Sequence, residues 1–216
     1  DPCPRIGCGS DKIIGSEGDD IIWGDDSLGG SGRTGRDWIL GADGNDTIDG
    51  EAGNDRLYGE DGDDQIVGSD GNDRLEGSYG MDMLDGGAGR DILFGGQDDD
   101  TLDGGSGNDV LHGDDGRDVI DGDSGNDMIE GDLGSDFLIG GGGNDTFIVQ
   151  AGDAGDGVET IVCTEAHNET GKVVFEGTFL DLIPGRFRDV VITVNDTVGI
   201  YKIIAGPGVC ILSRRK

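Results

Sequence analysis

The chain has 216 residues, with 47 Asp and Glu against 15 Lys and Arg, a formal net charge of −32. That sign excludes nucleic acid as a natural partner, because phosphate backbones are held by cationic side chains, and no run of about 18 apolar residues is present to span a membrane as a helix. With only 33% hydrophobic residues, composition alone reads as an acidic disordered segment, and the placement of those residues overturns that reading.

Residues 1–8 carry Cys3 and Cys8 and precede any regularity. From residue 9 to 149 one nonapeptide repeats. Its fixed points are Asp11, Asp20, Asp37, Asp46, Asp55, Asp64, Asp73, Asp82, Asp91, Asp100, Asp109, Asp118, Asp127, Asp136 and Asp145, nine apart throughout except between Asp20 and Asp37. Two residues after each stands an apolar side chain: Ile13, Ile22, Ile39, Ile48, Leu57, Ile66, Leu75, Leu84, Leu93, Leu102, Leu111, Ile120, Ile129, Leu138 and Phe147. Two residues before each is Gly, broken only by Asp98. The unit reads G-x-x-G-x-D-x-U-x, with U a large aliphatic residue or Phe. An irregular insertion, residues 25–36, interrupts the register and reads as a surface loop.

Each slot has a physical task. Gly at the first and fourth positions is expected to give the backbone positive φ in a tight loop. Only x-U-x is free to be strand, and alternation of faces points U inward. Two nonapeptides then make a coil of about 18 residues, and coils stack through strand hydrogen bonds at roughly 4.8 Å. The loops set the aspartates in two rows, from Asp37 to Asp145 and from Asp46 to Asp136, with eleven intervals between successive loops of a row. Residues 1–150 hold 38 acidic against 8 basic side chains, a net of −30, and like charges stacked one coil apart oppose a compact state. A hard cation with oxygen ligands removes the conflict, and irregular carboxylate and carbonyl loops suit Ca²⁺ better than Mg²⁺.

The unit resembles the RTX (hemolysin-type) calcium-binding nonapeptide, as in Gly104-Gly105-Ser106-Gly107-Asn108-Asp109-Val110-Leu111. Its second glycine is often replaced here, by Glu51, Glu60, Asp114, Asp123 and Asp132 among others. The resemblance implies an all-β parallel β-roll solenoid of about 15 repeats over residues 9–149, with each Ca²⁺ held between loops 18 residues apart by the fifteen aspartates and loop carbonyls, at about 11 sites or slightly more.

Residues 150–216 leave the repeat. Val, Ile, Thr and Phe runs at Thr160–Cys163, Lys172–Phe175, Asp189–Val194 and Ile200–Ile204 predict a small β cap continuing the roll. Cys163 and Cys210 lie in it, and the simplest disulfide pairing is Cys3 with Cys8 and Cys163 with Cys210. Calcium loops and disulfides both fit an extracellular, secreted protein. Of the sequons at Asn45, Asn144, Asn168 and Asn195, the first two merely spell the repeat, and Asn168 and Asn195 are the better glycosylation candidates. His112 occupies an outward slot, His167 a polar turn, and no catalytic constellation is present, so the chain reads as no enzyme. Outward slots of the first sheet carry Trp38, Leu40, Tyr58, Ile92, Phe94, Val110, Met128 and Ile148, whereas Asp49, Asp85, Asp103 and Asp121 form an acidic ladder on the second. The expected function is a structural or assembly protein of fibre, matrix or surface layer, self-associating through the roll ends or the Trp38, Ile92 and Phe94 face. The alternative is the calcium-binding C-terminal module of a secreted enzyme, adhesin or toxin.

Overall fold

The computed structural model describes residues 10–24 and 35–150, together with the strands Val158–Cys163, Lys172–Glu176, Val191–Asn195, Ile200–Ala205 and Ile211–Arg214. All regular structure among them is β. Successive repeats feed two sheets alternately. One takes Lys12–Ile14, Trp38–Asp43, Arg56–Asp61, Arg74–Tyr79, Ile92–Gln97, Val110–Gly116, Met128–Glu130 and Thr146–Gln150. The other takes Ile21–Trp23, Thr47–Asp49, Gln65–Val67, Met83–Asp85, Thr101–Asp103, Val119–Asp121 and Phe137–Ile139. All these pairs are parallel, so the chain winds as a β-roll rather than folding back on itself.

Register places like upon like. Leu75, Leu93, Leu111, Ile129 and Phe147 pair in file on the first sheet, and Ile48, Ile66, Leu84, Leu102, Ile120 and Leu138 on the second. The expected inward slot is therefore the core: Ile39 through Phe147 are at most 2% exposed. Ile22 is buried and Ile13 packs against the cluster from its end. Burying each of these side chains contributes roughly 1.5–3 kcal/mol before chain entropy is counted.

Three details depart from the sequence expectation. Strands of the first sheet extend through the following loop, as in Arg56–Asp61, where only three residues were expected. Short strands such as Ala88–Gly89 and Ser106–Gly107 pair in a third sheet of five strands along the other loop edge. The first-position glycines do not adopt positive φ. The second position does from Ala42 to Gly141, even as Glu51 (φ 64°), Glu60 (81°), Asp114 (66°) and Asp132 (61°), and the fourth does in only some repeats, as at Gly44, Gly80 and Gly89. First-position glycine answers to close approach instead: a Cβ on Gly68 would lie 2.6 Å from the Gly86 carbonyl oxygen and 2.8 Å from Asp73 Oδ2.

The insertion does not end the roll. Lys12–Ile14 pairs with Trp38–Leu40, and Ile21–Trp23 with Thr47–Asp49, each across 26 residues rather than 18. Gly24 lies against Asp37 Oδ2 as the other first-position glycines lie against theirs. Residues 25–34 lie outside the described residues.

Beyond the repeats, Val158–Cys163 pairs with Phe137–Ile139, and Lys172–Glu176 with Thr146–Gln150, in parallel continuation of both sheets. Val191–Asn195 runs antiparallel to Ile200–Ala205 at the edge of the second sheet. Cys3, Cys8, Cys210, Asn168 and His167 lie outside the described residues, and only the strand backbone is described at Cys163 and Asn195.

The outer faces are less unlike than the sequence suggested. On the first sheet Trp38, Tyr58 and Phe94 are half-buried. Lys12 Nζ stands 4.1 Å over the Trp38 ring, Trp38 and Tyr58 lie 5.9 Å apart, and the Arg74 guanidinium covers Phe94 at 4.2 Å. Ile92 and Met128 are exposed there, but so are Ile21, Trp23, Met83, Val119 and Phe137 on the sheet that bears the acidic ladder. Apolar surface is thus divided between both faces.

Candidate metal centre

The aspartates enter the two loop rows because their neighbours leave them one orientation. The U side chain two residues on is locked in the core, and the left-handed loop before turns the carboxylate inward, where Asp37, Asp46 and every later member are at most 3% exposed. Each Asp N–H donates to Oδ1 of the next Asp in its row: Asp55 to Asp73 at 2.7 Å, Asp73 to Asp91 at 2.7 Å, Asp91 to Asp109 at 2.8 Å. The second row does likewise, with Asp64 donating to Asp82 at 2.8 Å and Asp100 to Asp118 at 2.9 Å. Asp11 joins the first row through Asp37 Oδ1, and Asp20 the second through Asp46 Oδ1, both at 2.7 Å. The rows thus begin one loop earlier than the nine-residue count placed them, because loops stack by contact across the insertion.

One carboxylate oxygen, Oδ1, is thereby committed from Asp37 and Asp46 onward. Oδ2 of Asp46, Asp64, Asp73, Asp82, Asp91, Asp100, Asp109, Asp118 and Asp127 is buried with no hydrogen-bond donor. Backbone carbonyls converge on the same places. The point a Cβ would occupy on Gly86 is 2.7 Å from Gly104 O and 3.0 Å from Asp91 Oδ2; on Gly122 it is 2.8 Å from Gly140 O and 2.7 Å from Asp127 Oδ2. Asp20 differs, because the Ser16 N–H and hydroxyl donate to its Oδ2 at 2.7 and 3.1 Å.

Buried carboxylates with an unused oxygen are costly as anions. Burial, opposed by the Asp73 N–H and reinforced by the neighbouring charges of Asp109 and Asp85, pushes the Asp91 carboxyl up to about 7. Asp64, Asp73, Asp100 and Asp127 rise to about 7 for the same first cause, and Asp118 to about 8. A cation ringed by oxygens reverses that cost, and carboxylate plus carbonyl at irregular loops is the donor set of Ca²⁺.

A second ladder, which the sequence reading did not assign, runs the opposite way just outside the first. Asn72 N–H donates to Asn54 Oδ1 at 2.8 Å, Arg90 N–H to Asn72 Oδ1 at 2.9 Å, and Asn126 and Asn144 N–H continue it onto Asn108 and Asn126. The recurrent Asn-Asp dipeptide was its signal. Asn45 and Asn144 are engaged in such ladders, Asn45 by accepting from the Asp63 N–H. Where Asn is absent, Asp99 pairs with Arg117.

The family model for the RTX calcium-binding nonapeptide repeat matches residues 9–27 and, in overlapping copies, residues 31–158. The chain belongs to this family. It is accordingly a calcium-binding β-roll. No curated protein matches the sequence. In such an RTX roll Oδ2 of the aspartate rows and the first-position carbonyls would hold the ion, and Ca²⁺ would supply the positive charge that keeps the carboxylates ionised at neutral pH.

Proposed function

We propose that this chain is an extracellular, calcium-stabilised structural or assembly subunit whose roll forms on meeting Ca²⁺. The observation that carries the reading is the set of buried Oδ2 atoms without donors at Asp73, Asp91, Asp109 and Asp127 in one row and at Asp46, Asp64, Asp82, Asp100 and Asp118 in the other. With Asp11 and Asp20 included, the rows hold seven and six intervals between successive loops, up to thirteen sites for fifteen aspartate ligands. Free calcium outside cells reaches the 10⁻⁴–10⁻³ M range where extracellular modules bind, roughly, and cytosolic levels do not. Rigidity along the axis then comes from the ions and from the two side-chain ladders rather than from a thick core. Stacked parallel sheets have strand edges at their ends, which favour head-to-tail growth.

The division of exposed apolar residues between both faces favours, as a second reading, a calcium-binding module carried by a secreted enzyme, adhesin or toxin, since no single lateral strip stands out for assembly. Light scattering and electron microscopy of the native protein in millimolar Ca²⁺ and in EGTA decide between them. Calcium-dependent growth of linear particles supports the assembly reading. A monomer at all concentrations in calcium transfers the function to the module reading.

A further inference from the structure

Outside the aspartate rows, one cluster on the outer face of the first sheet has the chemistry of a different ion. His112 and Glu130 occupy the same outward slot in adjacent coils and pair directly in register. Asp132 follows in the next loop, with a left-handed backbone (φ 61°) at a position where the repeat ordinarily has glycine. His112 Nδ1 lies 3.2 Å from Asp132 Oδ2 and 3.7 Å from Glu130 Oε2, and the three donor atoms all fall within 4.8 Å of one another.

We propose that His112, Glu130 and Asp132 form a site for a borderline divalent transition ion of the Zn²⁺ class, separate from the calcium rows. Ligands of a tetrahedral Zn²⁺ with bonds of about 2.0–2.2 Å stand about 3.3 Å apart, close to the two separations from Nδ1. One imidazole nitrogen with two carboxylates is a zinc-type donor set, whereas Ca²⁺ gathers about six to eight oxygens and gains little from nitrogen. The site is held in place before any ion arrives. The Phe94 ring stacks on the imidazole at 5.0 Å and 3°, fixing its plane, and Glu130 is only 6% exposed. Asp114, in the equivalent loop one coil earlier, adds negative charge to the same field. His112 and Asp132 each keep about a quarter of their side-chain surface in solvent, so an ion has access and a fourth position stays open to water or an added ligand. The competing state is an imidazolium paired with both carboxylates; the Asp132 hydrogen bond raises the His112 pKa toward it.

The test loads the full chain with saturating Ca²⁺, so that the rows are occupied, and titrates Co²⁺ as a spectroscopic probe. One equivalent should give visible absorption of a low-coordinate site, displaced by one equivalent of Zn²⁺. His112→Gln and Glu130→Gln should weaken Co²⁺ binding by at least about tenfold, with the calcium-induced β signal unchanged, and His167→Gln should have no effect. Imidazole proton resonances give an independent reading on the unmutated chain, which has only two histidines, assigned by comparison with His167→Gln: Zn²⁺ should shift those of His112. No cobalt absorption together with unshifted His112 resonances would overturn the site and leave an ion pair, as would absorption that survives His112→Gln and disappears in His167→Gln.

Discussion

Replacing Asp91 by Asn should move the protein in opposite directions with and without calcium. Asp91 sits in mid-row, its Oδ1 accepting from the Asp73 N–H at 2.7 Å and its Oδ2 buried without a donor. Its carboxyl is pushed from 3.8 to about 7, chiefly by burial. At pH 8 an ionised Asp91 therefore costs the calcium-free roll up to ~4 kcal/mol, at ~1.36 kcal/mol per pKa unit, and about half that after screening and relaxation. Asn keeps the shape and the Oδ1 acceptor but carries no charge, and its amide can donate toward the Gly104 carbonyl beside Gly86. In EGTA the variant should retain more β signal than the parent. In calcium the order inverts, because a mid-row loop faces an ion on each side. Loss of an anionic ligand should raise the calcium midpoint about tenfold, ~1.4 kcal/mol for each affected site. Asp11→Asn, at the first loop of its row, should move the calcium midpoint less. Circular dichroism against free Ca²⁺ at pH 8 measures all three proteins. A shift of the same sign in EGTA and in calcium, or equal calcium midpoints for the two variants, would refute the assignment of Oδ2 to the ion.

Without calcium the roll should gain structure on acidification. Carboxyls whose folded pKa is raised contribute stability that is fully present below about 3.8 and is lost as pH rises through about 7 to 8, the values reached at Asp91 and Asp118. The β signal in EGTA should accordingly fall between pH 5 and pH 8, and a flat profile would contradict the buried rows. Gly68→Ala would place a methyl between Gly86 O and Asp73 Oδ2 and should raise the calcium midpoint, whereas Gly18→Ala, with open space around it, should add only backbone strain of about 1 kcal/mol; equal calcium shifts would show that the cradle is not where the ion binds. Unreduced mass analysis should find four hydrogens fewer than the free-thiol formula, from pairing of Cys3, Cys8, Cys163 and Cys210, and four alkylatable thiols would argue against an oxidising compartment.

The inward file from Ile39 to Phe147, the alternation of sheets and the two carboxylate rows were legible because each depends on spacing alone. Two periods of nine fix which side chains stack and which face they share. Features that depend on contact were not. First-position glycine reads as a flexible joint in a one-dimensional pattern, and only the position of Asp73 Oδ2 against Gly68 reveals it as a space kept clear. Counting by nine ended the rows at Asp37 and Asp46, since a sequence gap looks like a structural one. The coil ignores it. The exposed outer faces were the least legible, because Trp38 and Phe94 are covered by Lys12 and Arg74 from neighbouring coils, a cation–aromatic contact that no alternation rule encodes.

The 26-residue step between Lys12 and Trp38 means that this solenoid keeps time by touch rather than by count. Eight surplus residues leave no trace in the pairing of Ile22 with Ile48 or in the hydrogen bond from Asp20 to Asp46. The register of the coils on either side is therefore indifferent to the length of chain between Gly24 and Gly35, and foreign peptide inserted there should leave the pairing of Ile22 with Ile48 unchanged. The ions expected in the rows would steady the coils on both sides of such an insert.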